Sequence, residues 1–171
     1  MKKIIVIGCP GSGKSTFSKE LHKVTNIPLY HLDMIYWNSD QTRVEKVVFR
    51  EKLIDILEKD EWIIDGDYLS TLELRLESCD TVFFLDYSVD VCLEGINDRI
   101  GKVRSDIPWV EYEIDSDFVE YVKTYSVTNR SKVIEILNKS CDKNIYIFKN
   151  RSDALEYLTN KKDEIEEVDY E

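Results

Sequence analysis

The stretch Gly8-Cys9-Pro10-Gly11-Ser12-Gly13-Lys14-Ser15, close to the N-terminus, has the residue types and spacing to hold a polyphosphate. Its pattern is G-x-x-x-x-G-K-S. Gly8, Gly11 and Gly13 accept backbone angles that other residues avoid, so the chain can curl with its N–H groups turned inward around an anion, with Pro10 and Ser12 inside the curl. A helix beginning at Lys14 adds the positive end of its dipole. Lys14 then reaches the outer phosphates of a nucleoside triphosphate such as ATP. Ser15, followed by Thr16, offers a hydroxyl to Mg²⁺. Cys9 reads as a small residue that fits the loop.

A phosphate loop needs an acid for the metal, and the acids worth testing stand where apolar runs end. Asp65 closes Trp62-Ile63-Ile64 and precedes Gly66, so its carboxylate is placed to hold Mg²⁺ directly or through water. Asp86, after Thr81-Val82-Phe83-Phe84-Leu85, is the rival for that role. Asp33 follows Leu29 to Leu32. It either accepts or orients the proton of an acceptor hydroxyl, or caps the next segment, and both readings stand.

The cations come later in the chain. Arg99, Lys102 and Arg104 form a compact basic cluster around Gly101, suited to a mobile lid that stabilises charge on a transferring phosphoryl group. Arg130 is a further candidate for the same phosphates. Arg75 either binds an anionic acceptor or lies exposed on a helix. Lys149-Asn150-Arg151 offers side-chain stems against which an adenine can rest. Tyr36, Trp37 and Trp109 are either stacking surfaces or cover for the core. His22 and His31 have no third partner for a nucleophilic triad.

The elements that must position these groups follow from the apolar pattern. Lys3 to Ile7 is a β-branched run typical of a strand buried on both faces, and Phe17 and Leu21 share one face of the helix after the loop. Short strands are expected over 27–33, 61–68 (running into a glycine turn), 81–86 and 144–149. Helices are expected over 44–59 (apolar at Val48, Leu53, Ile56 and Leu57), over 89–99, and over 115–138, the last as one or two pieces. A short helix is expected around Leu72 to Leu76. Ser152 is expected to cap a final helix that turns Leu155 and Leu158 inward. Strands alternating with helices imply a parallel sheet covered on both faces, with ligands beyond the carboxyl ends of the strands.

With 171 residues and 43% hydrophobic content, one globular domain is expected. It runs over 1–162, with a lid at about 99–109. An acidic, disordered tail is expected over 163–171. The net charge of −11 argues against a broad nucleic-acid-binding face, so no direct DNA binding is expected. Cys9, Cys79, Cys92 and Cys141 are too scattered for a zinc site. Neither a leader nor a membrane span is visible, which points to a cytoplasmic protein.

Four segments taken together carry a family resemblance: Gly8 to Thr16, His31-Leu32-Asp33 with Trp37, Trp62 to Tyr68, and Arg99 to Trp109. The chain resembles the bacterial topology modulation proteins, which are adenylate-kinase-like P-loop proteins. The resemblance covers nearly the whole chain. It implies an α/β three-layer P-loop fold with a five-stranded parallel sheet in the order 2-3-1-4-5, and binding of a nucleoside triphosphate with Mg²⁺. It matches Asp65 to the acid of an L-D-G segment and Arg99 and Arg104 to lid arginines. Where adenylate kinases carry a Phe-Pro-Arg after that segment, this chain has Asp67-Tyr68, so AMP is not implied as acceptor. The function expected is transfer of the γ-phosphoryl group of ATP to a small acceptor. The alternative is a nucleotide-dependent switch or weak ATPase acting through a protein partner.

Overall fold

The computed structural model describes residues 1–140 and 142–168. The N-terminal apolar run forms β1 (Lys3–Gly8), and the phosphate loop leads into α1 (Lys14–Thr25). β2 (Leu29–His31) passes directly into a short α2 (Leu32–Tyr36), and α3 (Lys46–Leu57) returns the chain to β3 (Trp62–Asp65). A 3-10 turn, Leu69–Thr71, precedes α4 (Leu72–Ser78). Then come β4 (Thr81–Leu85), α5 (Val89–Asn97), α6 (Ser116–Asn138), β5 (Asn144–Phe148) and α7 (Arg151–Val168).

All strand pairings are parallel, in the order β2-β3-β1-β4-β5. The register aligns the strand ends that matter: His31 pairs with Asp65, Asp65 with Val6, and Gly8 with Leu85. Side chains alternate across a sheet, and here both faces are buried. Ile4, Val6, Ile63, Phe83 and Leu85 face one layer, against Phe17, Leu21 and Leu158. Ile5, Ile7, Ile64, Val82 and Phe84 face the other, against Leu32, Phe49, Leu53 and Leu76. Each such Leu, Ile or Phe contributes about 1.5–3 kcal/mol by its burial.

α6 is one continuous helix of 23 residues and serves both layers, with Val122 and Tyr125 in the first and Val133 and Leu137 in the second. Its start is fixed by Asp115, whose side chain accepts from the Asp117 N–H at 2.6 Å. Ser88 caps α5 in the same way through the Val91 N–H.

Several local expectations are corrected. α7 is capped by Asn150, which accepts from the Asp153 N–H at 3.0 Å, so Ser152 lies inside the helix. One face of α7 buries Ala154 and Leu158, and Leu155 is 64% exposed. In α3 the inward face is Phe49, Leu53, Ile56 and Leu57, and Val48 is left largely outside. The acidic segment expected to be disordered from 163 onward continues the helix to Val168, with ion pairs Lys161–Glu164 and Lys162–Glu166 at helical spacing. Residues 169–171 of that expected tail lie outside the described residues. Among the described residues no helix is long and apolar enough to cross a membrane.

Candidate active site

A cavity of about 1330 Å³ opens beyond the carboxyl ends of the strands. Its floor is the phosphate loop. Gly11 packs so closely on α5 that a Cβ there would lie 2.0 Å from the Cys92 carbonyl oxygen, and a Cβ on Gly95 would meet the Gly11 carbonyl at the same distance. The loop is therefore seated against α5 by two glycines facing one another. Gly13 has φ 92 and no side chain caps α1 there, which leaves the first N–H groups of the helix directed at the cavity. Lys14 Nζ donates to the carbonyls of Gly8 (2.9 Å) and Cys9 (3.1 Å). Pro10, Gly11, Ser12, Gly13, Lys14, Ser15 and Thr16 line the cavity, while Gly8 lies beneath it as the end of β1. Cys9 is buried, and its contact with the Cys92 thiol and its burial push its pKa up, so it is an inert packing residue.

Three acids stand beside the loop. Asp65 is buried at the end of β3, with Oδ1 3.0 Å from His31 Nδ1, although the pair lacks hydrogen-bond alignment. Its Oδ2 has no hydrogen-bond partner among the described residues. A buried carboxylate oxygen left without a donor is costly unless something binds it. Asp33, at the start of α2, accepts from the Tyr68 hydroxyl at 2.6 Å. Burial raises its pKa, partly offset by the Tyr68 hydrogen bond and by Lys14.

Asp106 is the third acid, and the sequence reading missed it. It is buried within the basic segment, close to Ser15, and lies 3.7 Å from Lys19 Nζ. Burial pushes its carboxyl up, but hydrogen bonds from Arg104 and Ser15 hold it well below the ordinary range. Nothing local distinguishes Asp106 from the other acids of a mixed-charge loop. Only the fold lays that loop over Ser15.

The segment between α5 and α6 folds over the cavity, tied by the Gly101 N–H to the Glu111 carbonyl at 2.8 Å. Arg104 binds Asp106 through two nitrogens and Glu111 through Nη1 at 2.7 Å. Burial lowers the Arg104 pKa, but these acids outweigh it and hold the group charged. Arg99 lines the cavity, and no hydrogen bond or ion pair from its guanidinium is present among the described residues. Burial and then Arg104 lower its pKa. Arg151, at the start of α7, reaches the Val91 carbonyl at 3.4 Å and lines the same cavity with Ala154 and Leu158.

Four expected residues are elsewhere. Arg130 does not line the cavity. It forms an ion pair with Asp86 through Nε (2.7 Å) and Nη2 (2.8 Å), and Lys149 binds the same carboxylate. Both cations and Asp86 border a separate recess of about 310 Å³. Asp86 is thus neutralised by two cations, so the rival for Asp65's place has none of the freedom that Asp65 shows. Arg75 is neither an exposed helix arginine nor an anion receptor. It is completely buried and donates to the carbonyls of Gly66 (2.8 Å), Asp67 (2.9 Å), Tyr68 (3.1 Å) and Thr71 (3.4 Å). Burial lowers its pKa to about 10. It fixes the turn that carries Asp65, Asp67 and Tyr68. Asp67 is held from the opposite side by the buried Tyr125 hydroxyl at 2.8 Å.

No protein-family model matches the chain. Solved structures do. Deoxyadenosine kinase from M. mycoides with bound dATP matches at 17% identity and TM-score 0.57, covering 94% of this chain and 98% of that one. Shikimate kinase from Acinetobacter baumannii in complex with shikimate matches at 15% identity and TM-score 0.61, covering 94% and 90%. Shikimate kinase from Bacteroides thetaiotaomicron matches at 16% identity and TM-score 0.54, covering 95% and 97%. At these identities the likeness is one of fold. The chain has the α/β fold of the P-loop kinases, with the five-stranded parallel sheet that its own strand order displays.

Proposed function

We propose that this chain is a phosphotransferase that moves the γ-phosphoryl group of ATP to the hydroxyl of a small acceptor. The observation that carries this reading is the meeting, in one cavity, of an uncapped helix N-terminus with Lys14, a buried acid with an oxygen unpartnered among the described residues (Asp65), a second acid at the start of α2 (Asp33), and Arg99. In this reading the loop N–H groups and Lys14 bind the β- and γ-phosphates, with Lys14 exchanging its carbonyl bonds for phosphate oxygens. Arg99 and Arg104 stabilise charge on the transferring group, and the adenine rests near Arg151 and Leu158. Ser15 and Asp65 would hold Mg²⁺, which supplies charge neutralisation across the phosphates. The donor set suits that ion: oxygens only, and among the described residues no cluster of three His, Cys, Asp or Glu, so phosphate and water would complete the shell. Asp33 orients the acceptor hydroxyl and takes its proton. Deoxyadenosine and shikimate kinases are named for small hydroxyl acceptors, which supports the same class here.

The test is ADP release by the full chain with ATP and Mg²⁺ against a panel of nucleosides, nucleotides and small hydroxy acids. Turnover that rises with one acceptor above the rate with water supports the reading. Turnover indifferent to every acceptor sinks it. In that event the nucleotide-switch reading gains, and one contact favours it: Asp106 pairs with Lys19 of α1 at 3.7 Å and so couples the loop between α5 and α6 to the helix that follows the phosphate loop. We further infer membership of the topology modulation family from the four matching segments, a catalytic domain over 1–162 with its lid at about 99–109, a cytoplasmic location, and no direct binding to DNA.

A further inference from the structure

The acceptor end of the cavity has its own chemistry. Four half-buried rings form one connected wall. Trp109 meets Trp37 at 5.7 Å between centroids, Trp37 meets Tyr36 at 5.0 Å, and Tyr36 meets Tyr68 at 4.8 Å. Each contact is edge to face, and the buried Phe49 ring packs behind Tyr36 and Tyr68. Tyr68, the last ring, donates its hydroxyl to Asp33. The wall therefore runs from the mouth of the cavity to a carboxylate.

The charges at this end argue against an anionic acceptor. Asp33, Asp65 and Asp67 are its acids. Arg75, the cation nearest in sequence, is spent on four backbone carbonyls. Arg43 lines the cavity beside Trp37, stacked on that ring with its guanidinium carbon 5.4 Å from the centroid, and is exposed to water, which weakens its hold on an anion. Lys14, Arg99 and Arg104 line the phosphate end. Arg99, which carries no ion pair among the described residues, also acts on Asp33, but a phosphate or carboxylate on the acceptor would still meet three acids at this end, whereas an uncharged ring would lose little by leaving water for this wall.

We propose that the acceptor is an uncharged alcohol with a flat ring, the chemistry of a nucleoside, lying against the wall of Tyr36, Trp37, Tyr68 and Trp109 with its hydroxyl on Asp33. This deepens the phosphotransferase reading and rests on it. In the step, the acceptor oxygen forms a bond to the γ-phosphorus of ATP, and the bond from that phosphorus to the β–γ bridging oxygen breaks. ADP leaves with the electron pair. The hydroxyl proton passes to the Asp33 carboxylate and then to water. A nucleoside monophosphate and ADP result, with no oxidant or reductant involved.

The experiment is a tryptophan-fluorescence titration of the full chain with adenosine, guanosine, cytidine and thymidine, and in parallel with AMP, dTMP and shikimate. The chain has three tryptophans, and Trp62 is buried in the core, so Trp37 and Trp109 report on the site. At least one nucleoside is expected to give a saturable change, at least about tenfold tighter than its monophosphate and insensitive to salt between 50 and 500 mM. Trp37→Ala should weaken it by about tenfold or more, the scale of losing one stacking ring. Asp33→Asn should retain the native melting transition and keep nucleoside binding within a few-fold while lowering the rate of ADP formation by about 10²–10⁴. A monophosphate or shikimate that binds as tightly as any nucleoside, or no saturable change with any nucleoside, overturns the proposal. Nucleoside binding without ADP formation keeps the acceptor assignment and sinks phosphoryl transfer. ADP formation stimulated only by an anionic acceptor does the reverse.

Discussion

At the scale of single residues, Lys14, Asp33 and Asp106 carry the account. Lys14 sits at the phosphate end of the cavity, bonded only to loop carbonyls. Lys14→Ala should lower kcat/KM for ADP formation by about a hundredfold or more with an unchanged circular dichroism melt, as expected when a charge aimed at developing negative charge is removed. Asp33 has a raised pKa because it is buried, and its active form as a proton acceptor is the carboxylate. The sign follows: activity is full above the folded pKa and falls as pH drops through it, so the acid limb of kcat/KM should lie above the ordinary aspartate range. Asp33→Asn should remove that limb together with about 10²–10⁴ of the rate. A limb that persists unchanged in a still-active Asp33→Asn variant would make Asp33 a structural cap. The phosphate loop and the strand-end acids could be read from sequence because their meaning is local: glycine spacing, and an acid at the end of an apolar run. Asp106 could not, because its position over Ser15 is set by a loop that only the packed helices α5 and α6 define.

At the scale of elements, the turn after β3 and the ends of β4 and β5 are held by opposite strategies. The first is pinned by one buried arginine acting on carbonyls. Arg75→Leu leaves Gly66, Asp67, Tyr68 and Thr71 carbonyls without their donor and should cost about 3–5 kcal/mol, read as a fall in the denaturant midpoint at constant m-value. A loss below about 1 kcal/mol would mean the turn is held by something else. From sequence Arg75 reads either as a group for an anionic acceptor or as an exposed helix cation, since complete burial of an arginine is rare and nothing adjacent marks it.

The second place is an ion cluster. Burial pushes the Asp86 carboxyl up, yet hydrogen bonds and charge from Arg130 and Lys149 bring it below its ordinary range. A depressed folded pKa means that its contribution to stability is present above the unfolded value, near 3.9, and is lost as pH falls through the lower folded value. Asp86→Asn should therefore lose stability at pH 7, by about 1–2 kcal/mol given the exposure of both cations, and show a smaller loss on acidification below pH 4 than the parent. Equal acid sensitivity in parent and variant would contradict this. Arg130 illustrates how spacing misleads. It lies on α6, a helix that spans both layers, and the turn of that helix carrying Arg130 meets the end of β4 rather than the phosphate loop.

At the scale of the molecule, an acidic chain of net charge −11 concentrates Lys14, Arg99, Arg104 and Arg151 around one cavity. That net charge disfavours an extended polyanion, and duplex DNA at physiological salt should not retain the protein in a gel-shift assay. The parallel sheet and the position of the site were legible because strands alternate with helices and a phosphate loop marks the first strand end, while the strand order came only from the family resemblance. The continuity of α6 and the helical run to Val168 were not, since polar, weakly periodic segments gain their helicity from packing and paired charges.

The central claim is phosphoryl transfer, and mass spectrometry of the acceptor tests it most directly. The full chain is incubated with Mg²⁺, ATP labelled with ¹⁸O in the γ-phosphate, and the panel of nucleosides. The account expects the labelled phosphoryl group on a nucleoside hydroxyl, in amounts equal to the ADP formed, and neither product with Lys14→Ala. Label found only in inorganic phosphate, at a rate the same with and without nucleoside, would contradict it.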